Sequence, residues 1–384
     1  MSAAREEDIV ILGGGLAGAS AACILADSGR SPLLLERDAE PRHKVCGEFL
    51  SIEAQAYLAD LGIDLDGLGA SRIARVRLAH GRNTTEAHLP FLARGLSRRS
   101  LDEALLLQAG SRGARILRGV SAREISTEGK SIRLDAGTKG AIQAQTLFLA
   151  TGKHDVRGVK RASAGTMNDL IGFKGHYRLA GRQKIELEGY VEVMLFAGGY
   201  AGLQLVEDGL ANLCLVVSRR YFDDAGKSWD RLIARIVDEC AHLGERLGAA
   251  QPLFERPLSI FQIPYGFLHD PYAGDPPGLF RLGDQAAVIP SFTGDGMSIA
   301  LHSGRLAATT FLAQGQASVI FQRQLRKDVQ RSIRFSSALN TAVRYRVGRQ
   351  AIFHLCRGWP AAMRHVTSLT RVQESAVTGA LATR

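Results

Sequence analysis

The chain begins with a short, unbroken apolar run at residues 8–12, of the kind that forms a strand buried on both faces. Gly13, Gly14 and Gly15 follow at once, and a small-residue helical stretch over 17–26 is stopped by Gly29. A second apolar run from Pro32 to Leu35 ends in Glu36 and Arg37. Strand, glycine turn, helix and strand in this order predict a βαβ unit. Helical spacing returns after Ser97 with Leu101, Leu105 and Leu106, and residues 115–117, 131–134 and 146–150 predict further strands. From about 160 to 275 the pattern changes. Runs at 190–196 and 210–217 predict an antiparallel sheet interrupted by one helix near 229–243. A strand at 280–282 then delivers Gly283 and Asp284, and the remainder predicts helices. The expected fold class is α/β. A discontinuous first domain covers 1–80, 95–158 and 276–320, an inserted antiparallel sheet domain covers 81–94 and 159–275, and a basic helical segment covers 321–384.

At 384 residues the chain has room for two domains. No window holds the roughly 18 apolar residues of a membrane span. The polar start at residues 1–8 runs straight into a strand, so no signal peptide is expected. Five scattered cysteines (Cys23, Cys46, Cys214, Cys240, Cys356) suggest neither a disulfide frame nor a metal site and fit a reducing cytoplasm. The net charge of +10 is concentrated. Residues 320–384 carry twelve Lys and Arg against Asp328 and Glu374 alone, and the rest of the chain is neutral. A solvated helix face is the plain explanation; an acidic carrier protein or an anionic membrane surface is the sharper one, which would place the protein peripherally on a membrane. Nucleic acid is not expected, because no aromatic-interleaved basic motif accompanies the charge.

Gly13, Gly15 and Gly18 satisfy G-x-G-x-x-G, with Leu16 and Ala17 inside the turn. Gly13 permits the tight turn, Gly15 lets a pyrophosphate approach the backbone, and Gly18 lets helix and strand close up. The helix N-terminus offers free N–H groups to phosphates, and Glu36 is placed to accept from ribose hydroxyls. Far downstream, Gly283-Asp284 ends a strand and is followed by Gly294, Gly296 and Met297 at a helix start.

These two separated motifs, in this order, resemble the FAD-dependent flavoprotein hydroxylase superfamily, which includes aromatic hydroxylases, ubiquinone-pathway hydroxylases and geranylgeranyl reductases. The resemblance covers most of residues 8–310 and implies a glutathione-reductase-type, Rossmann-like FAD-binding domain roofed by the inserted sheet. It implies that Asp284 bonds the ribityl chain, that Gly294 and Gly296 leave room for the flavin, and that Val120 meets adenine. Arg98 or Arg99 then binds pyrophosphate, the other being solvated. A Cys-Gly segment, residues 44–51, would lie beside the flavin, making Cys46 and Glu48 candidate catalytic groups, with Lys44 lowering the Cys46 pKa or Cys46 simply packing on the ring. The substrate pocket would draw on Phe196, Tyr200, Leu203, Phe261 and Tyr265.

Relatives commonly carry Gly-Ala-Asp-Gly after the strand at 146–150, whereas this chain has Ala150-Thr151-Gly152-Lys153-His154-Asp155. NADPH or NADH is therefore the expected reductant without an identified site. His154 and Asp155 are alternatively acid–base groups or solvated turn residues. With only Trp229 and Trp359, the tryptophan-rich halogenase signature is absent and halogenation is disfavoured. Hydroxylation of an aromatic or polyketide-like molecule is favoured, with double-bond reduction of a polyprenyl-like molecule as the alternative and a non-catalytic binder as the third class.

Overall fold

The computed structural model describes residues 5–382 apart from 129–130, 163–165, 168 and 273. The polar start at residues 1–4 and Arg384 of the basic count lie outside the described residues. The apolar runs at the start pair as expected. Arg5–Leu12 lies between Leu33–Glu36 and Ala141–Leu149, parallel to both, and Arg115–Arg118 extends the sheet beyond Leu33–Glu36. The far edge of Ala141–Leu149 is shared. A hairpin (Glu124–Glu128, Ser131–Asp135) takes its first half, and Leu279–Arg281 returns from the end of the chain to take its second.

Helices Leu16–Asp27 and Gly296–Gln314 pack together on one face of this sheet, and small residues set how closely. A side chain at Gly304 would sit 2.3 Å from the Ala17 carbonyl oxygen, closer than any contact allows. Helix Arg98–Ser111 joins them, started by Ser97, whose hydroxyl accepts from the Ser100 N–H.

The second sheet has nine strands. Its core is the antiparallel set Leu170–Arg178, Ala211–Ser218, Gly199–Leu205 and Gly189–Phe196. Three departures from the sequence reading occur here. Strand Ser71–His80 belongs to this sheet, so the chain leaves the first layer before the expected boundary at residue 80. It also pairs parallel with Gly189–Phe196, because the two inserted segments enter the sheet separately with the same direction. Helices Arg219–Asp224, Trp229–Glu239 and Ala241–Leu247 cover one face of the sheet, where one helix was expected. The other face looks onto the first layer. The basic segment is helical throughout most of its length: Ser318–Arg344, Arg346–Gly358, Ala361–Leu369 and Glu374–Ala382. No described helix is long and apolar enough to cross a membrane.

Candidate functional site

A cavity of about 700 Å³ runs between the layers. At one end the first motif lines it through Gly13, Gly15, Leu16 and Ala17. The three motif glycines have different reasons to be glycine. Gly13 has φ +109° and no room, since a side chain would meet the Ala150 oxygen at 2.4 Å; at Gly18 it would meet the Gly13 oxygen at 2.0 Å. Gly15 has an ordinary φ of −74°, and a side chain there would touch only the Arg98 guanidinium, at 3.4 Å. The protein's own packing does not demand Gly15. A ligand lying against that turn would, which is the fit expected for a dinucleotide. Glu36 is buried, accepts from Gly14 N–H at 2.6 Å and from Asp38 N–H at 2.9 Å, and lines the cavity beside Arg37. Val120 is tied in through its N–H to the Glu36 carbonyl at 2.9 Å and lines the same end.

The second motif closes the cavity from the opposite end of the sequence. Gly283 adopts φ +55° and donates its N–H to Ser303 Oγ at 2.8 Å. Asp284 pairs with Lys153 at 3.0 Å, so the loop lacking Asp-Gly supplies a cation to the second motif. Gly294 (φ +76°) turns the chain into helix Gly296–Gln314, whose first residues Gly296 and Met297 border the cavity. Asp295, at the helix cap, is fully buried; burial raises its pKa to about 7, opposed by Arg371.

Residues 44–48 form a third wall. Cys46 is partly exposed and lines the cavity, and its carbonyl accepts from Asn212 Nδ2 at 3.1 Å. Lys44 is not directed at the thiol as expected: its ammonium pairs with Asp102 at 2.9 Å. Arg98 also pairs with Asp102, at 2.7 Å. Burial opposes the Arg98 charge, but Asp102 and the neighbouring Cys46 outweigh it and raise its pKa. Arg99 is exposed.

Glu48 is the other expected catalytic group. It is fully buried at φ +59°, an uncommon conformation for a non-glycine residue. One carboxylate oxygen holds Lys174 and accepts from Arg98 N–H at 2.7 Å; the other meets His176 Nε2 at 2.9 Å. Burial raises its pKa, yet His176 and Lys174 overcome this and hold it below the usual range. With both oxygens engaged, Glu48 clamps the Cys46 segment to the second sheet. His43, Glu48 and His176 lie close enough to ligate one ion. The Lys174 ammonium on the same carboxylate repels a cation, so the donor set does not suit a metal.

Sequence reasoning missed Lys174, His176, Gln204 and Asn212. His176, Asn212 and Gln204 are cross-strand neighbours in register, forming a polar row under residues 46–48. The available signal was period two, which puts Lys174 and His176 on one face of an otherwise apolar strand. The same period corrects the expected pocket. Tyr200 and Tyr265 line the cavity, with the Tyr200 hydroxyl 2.5 Å from Ser291 Oγ and 3.2 Å from that of Tyr265. Phe196 and Leu203 point instead into the helix-covered core, and Phe261 is half exposed. His154 and Asp155 are exposed at the rim of the cavity, Asp155 pairing with Arg161 at 2.7 Å.

Residues 11–65 match the family model of the NAD(P)-binding Rossmann-like domain. Among characterised relatives, a tryptophan 2-halogenase of Chondromyces crocatus is 25% identical over 79% of this chain and 60% of its own length. The chain thus spans less than two thirds of that protein. A menaquinone reductase of Mycolicibacterium smegmatis is 24% identical over 98% of this chain and 88% of its own. Among solved structures, the myxobacterial halogenase CndH superposes with a TM-score of 0.73 over 98% of this chain and 96% of its own at 19% identity. A geranylgeranyl bacteriochlorophyll reductase-like protein of Thermoplasma acidophilum does so at 0.72 over 99% and 96%, at 17% identity. The cavity carries a dinucleotide-type cradle at both ends, and the chain is similar in sequence to these halogenases and reductases and shares their fold.

Proposed function

We propose that this protein is an FAD-dependent reductase of a carbon–carbon double bond in a bulky apolar molecule, with NADPH or NADH as electron source. The observation that carries this reading is Cys46, a thiol on the cavity wall between the two motifs and held in place by Asn212. The turn at Gly13 and Gly15, Glu36 and Asp284 would hold FAD, which when bound would supply the hydride chemistry for one alkene carbon, with NADPH or NADH as the source of electrons. Cys46 would donate the proton to the other and regain it from water. Beyond Cys46 the cavity walls become apolar, with Val76, Leu78, Val193, Ile352 and Met363, which suits a hydrocarbon chain and excludes water. Double-bond reduction therefore moves ahead of hydroxylation, which the sequence favoured.

The decisive experiment is anaerobic. Protein loaded with FAD, given NADPH and a polyprenyl alkene, should yield a product two hydrogens heavier. Cys46→Ala should lower turnover on the order of 100-fold with FAD still bound. Unchanged turnover in Cys46→Ala would remove the residue on which the reading rests. The Tyr200, Tyr265 and Ser291 hydroxyls favour a second reading, hydroxylation of a phenolic ring they would orient. Product gaining one oxygen atom, and only in air, would select it. Halogenation has less support, since neither Trp229 nor Trp359 lines the cavity.

A further inference from the structure

The helix Arg346–Gly358 carries two unlike strips on its outer surface. Val347, Ala351 and Leu355 recur at every fourth residue and are exposed, and Trp359 continues the row at the helix end. Val347 is 77% exposed, Leu355 55% and Trp359 52%, and Tyr345 at the helix start is 68% exposed. Beside this row run Arg346, Gln350, His354 and Arg357, all exposed. An amphipathic helix normally hides its apolar strip. This one hides a different face, with Arg349, Phe353 and Cys356 turned inward, and leaves a second apolar strip in solvent.

The charge carried by this stretch of the chain has one sign. Residues 329–373 contain eight arginines and no Asp or Glu. Among the described residues, Arg331, Arg334, Arg346, Arg357 and Arg364 form no ion pair, whereas Arg344 and Arg371 pair with Asp169 and Glu53. An exposed Trp–Leu–Val row flanked by unpaired arginines matches the boundary of an anionic bilayer. There aromatic and aliphatic groups enter the headgroup layer while guanidinium groups meet lipid phosphates. The inner side of the same region, through Ile352, Cys356, Met363 and Val366, forms the apolar wall of the cavity.

We infer that helix Arg346–Gly358 and the adjoining Trp359 dock this protein on an anionic lipid surface, placing the apolar end of its cavity next to the bilayer. The inference stands apart from the reaction proposed for the cavity, because binding is read without turnover. The test uses full-length, FAD-loaded protein and sedimentation with vesicles of phosphatidylcholine alone or with 30% phosphatidylglycerol. Binding to the anionic vesicles should exceed that to neutral ones by at least about tenfold and weaken steeply with added salt. In a Trp229→Phe background, Trp359 emission should shift to the blue on binding. Leu355→Glu with Trp359→Glu, and separately Arg346→Glu with Arg357→Glu and Arg364→Glu, should each abolish sedimentation while FAD content is unchanged. Three results would overturn the inference: no sedimentation at low salt, equal affinity for neutral vesicles, or a lipid-free dimer broken by the Leu355 and Trp359 changes. Binding to an acidic carrier protein with none to vesicles would assign the arginines to a protein partner and overturn it likewise.

Discussion

Asp295 and Glu48 are both carboxylates without solvent exposure, yet they respond to pH with opposite sign. Glu48, held by Lys174 and His176, has a lowered pKa, so its contribution to stability is complete above the ordinary carboxylate value and fades as pH falls through the depressed one. Asp295 has its pKa raised by burial to about 7, so the folded chain keeps a proton that the unfolded chain has already lost. Its folded state binds more protons between about pH 4 and pH 7. Stability therefore declines as pH rises through that window, and the cost is complete above it. Asp295→Asn keeps an acceptor for the Val372 N–H, now 2.9 Å away, without the charge. We expect this variant to be more stable than the wild type at pH 8 and nearly equal at pH 5, by urea denaturation. A difference independent of pH would assign Asp295 another role.

The turn between strand Arg5–Leu12 and helix Leu16–Asp27 separates structural glycine from ligand-facing glycine. Gly18→Ala should destabilise the protein by several kcal/mol, because its methyl would overlap the Gly13 carbonyl at 2.0 Å. Gly15→Ala should leave the apoprotein within about 0.5 kcal/mol of wild type and weaken FAD binding at least about tenfold. Thermal denaturation with and without FAD, together with flavin titration, reads both effects; equal loss of stability in both variants would contradict the distinction. This element was legible in sequence because its chemistry is local: apolar run, glycines, acid, all within 30 residues. The Asp284 end was legible for the same reason. The cluster around Glu48 was not. Its partners come from four separate segments, and only the register of the second sheet brings His176, Asn212 and Gln204 into one row. The parallel pairing of Ser71–His80 with Gly189–Phe196 was hidden too, since periodicity within a strand carries no information about the direction of its neighbour.

At the scale of the whole molecule, the cavity belongs to no single layer. Its walls come from the first sheet's turns, the second sheet's face and the C-terminal helices, and the Glu48 clamp ties the first two together. FAD should therefore stabilise the entire chain in one thermal transition, by about 2.7 kcal/mol at a hundred times the dissociation constant. Two transitions, only one of them moved by FAD, would show that the layers unfold independently. The meeting of segments far apart in sequence also bears on how the protein is made. Ser20 and the Leu301 carbonyl, 281 positions apart, meet between the two helices that bracket the cofactor cradle. On the ribosome, the opening βαβ unit emerges long before strand Leu279–Arg281 and helix Gly296–Gln314 exist to cover it. A nascent chain thus presents half a cradle until residues 279–314 have emerged, and flavin capture is expected to wait for their arrival.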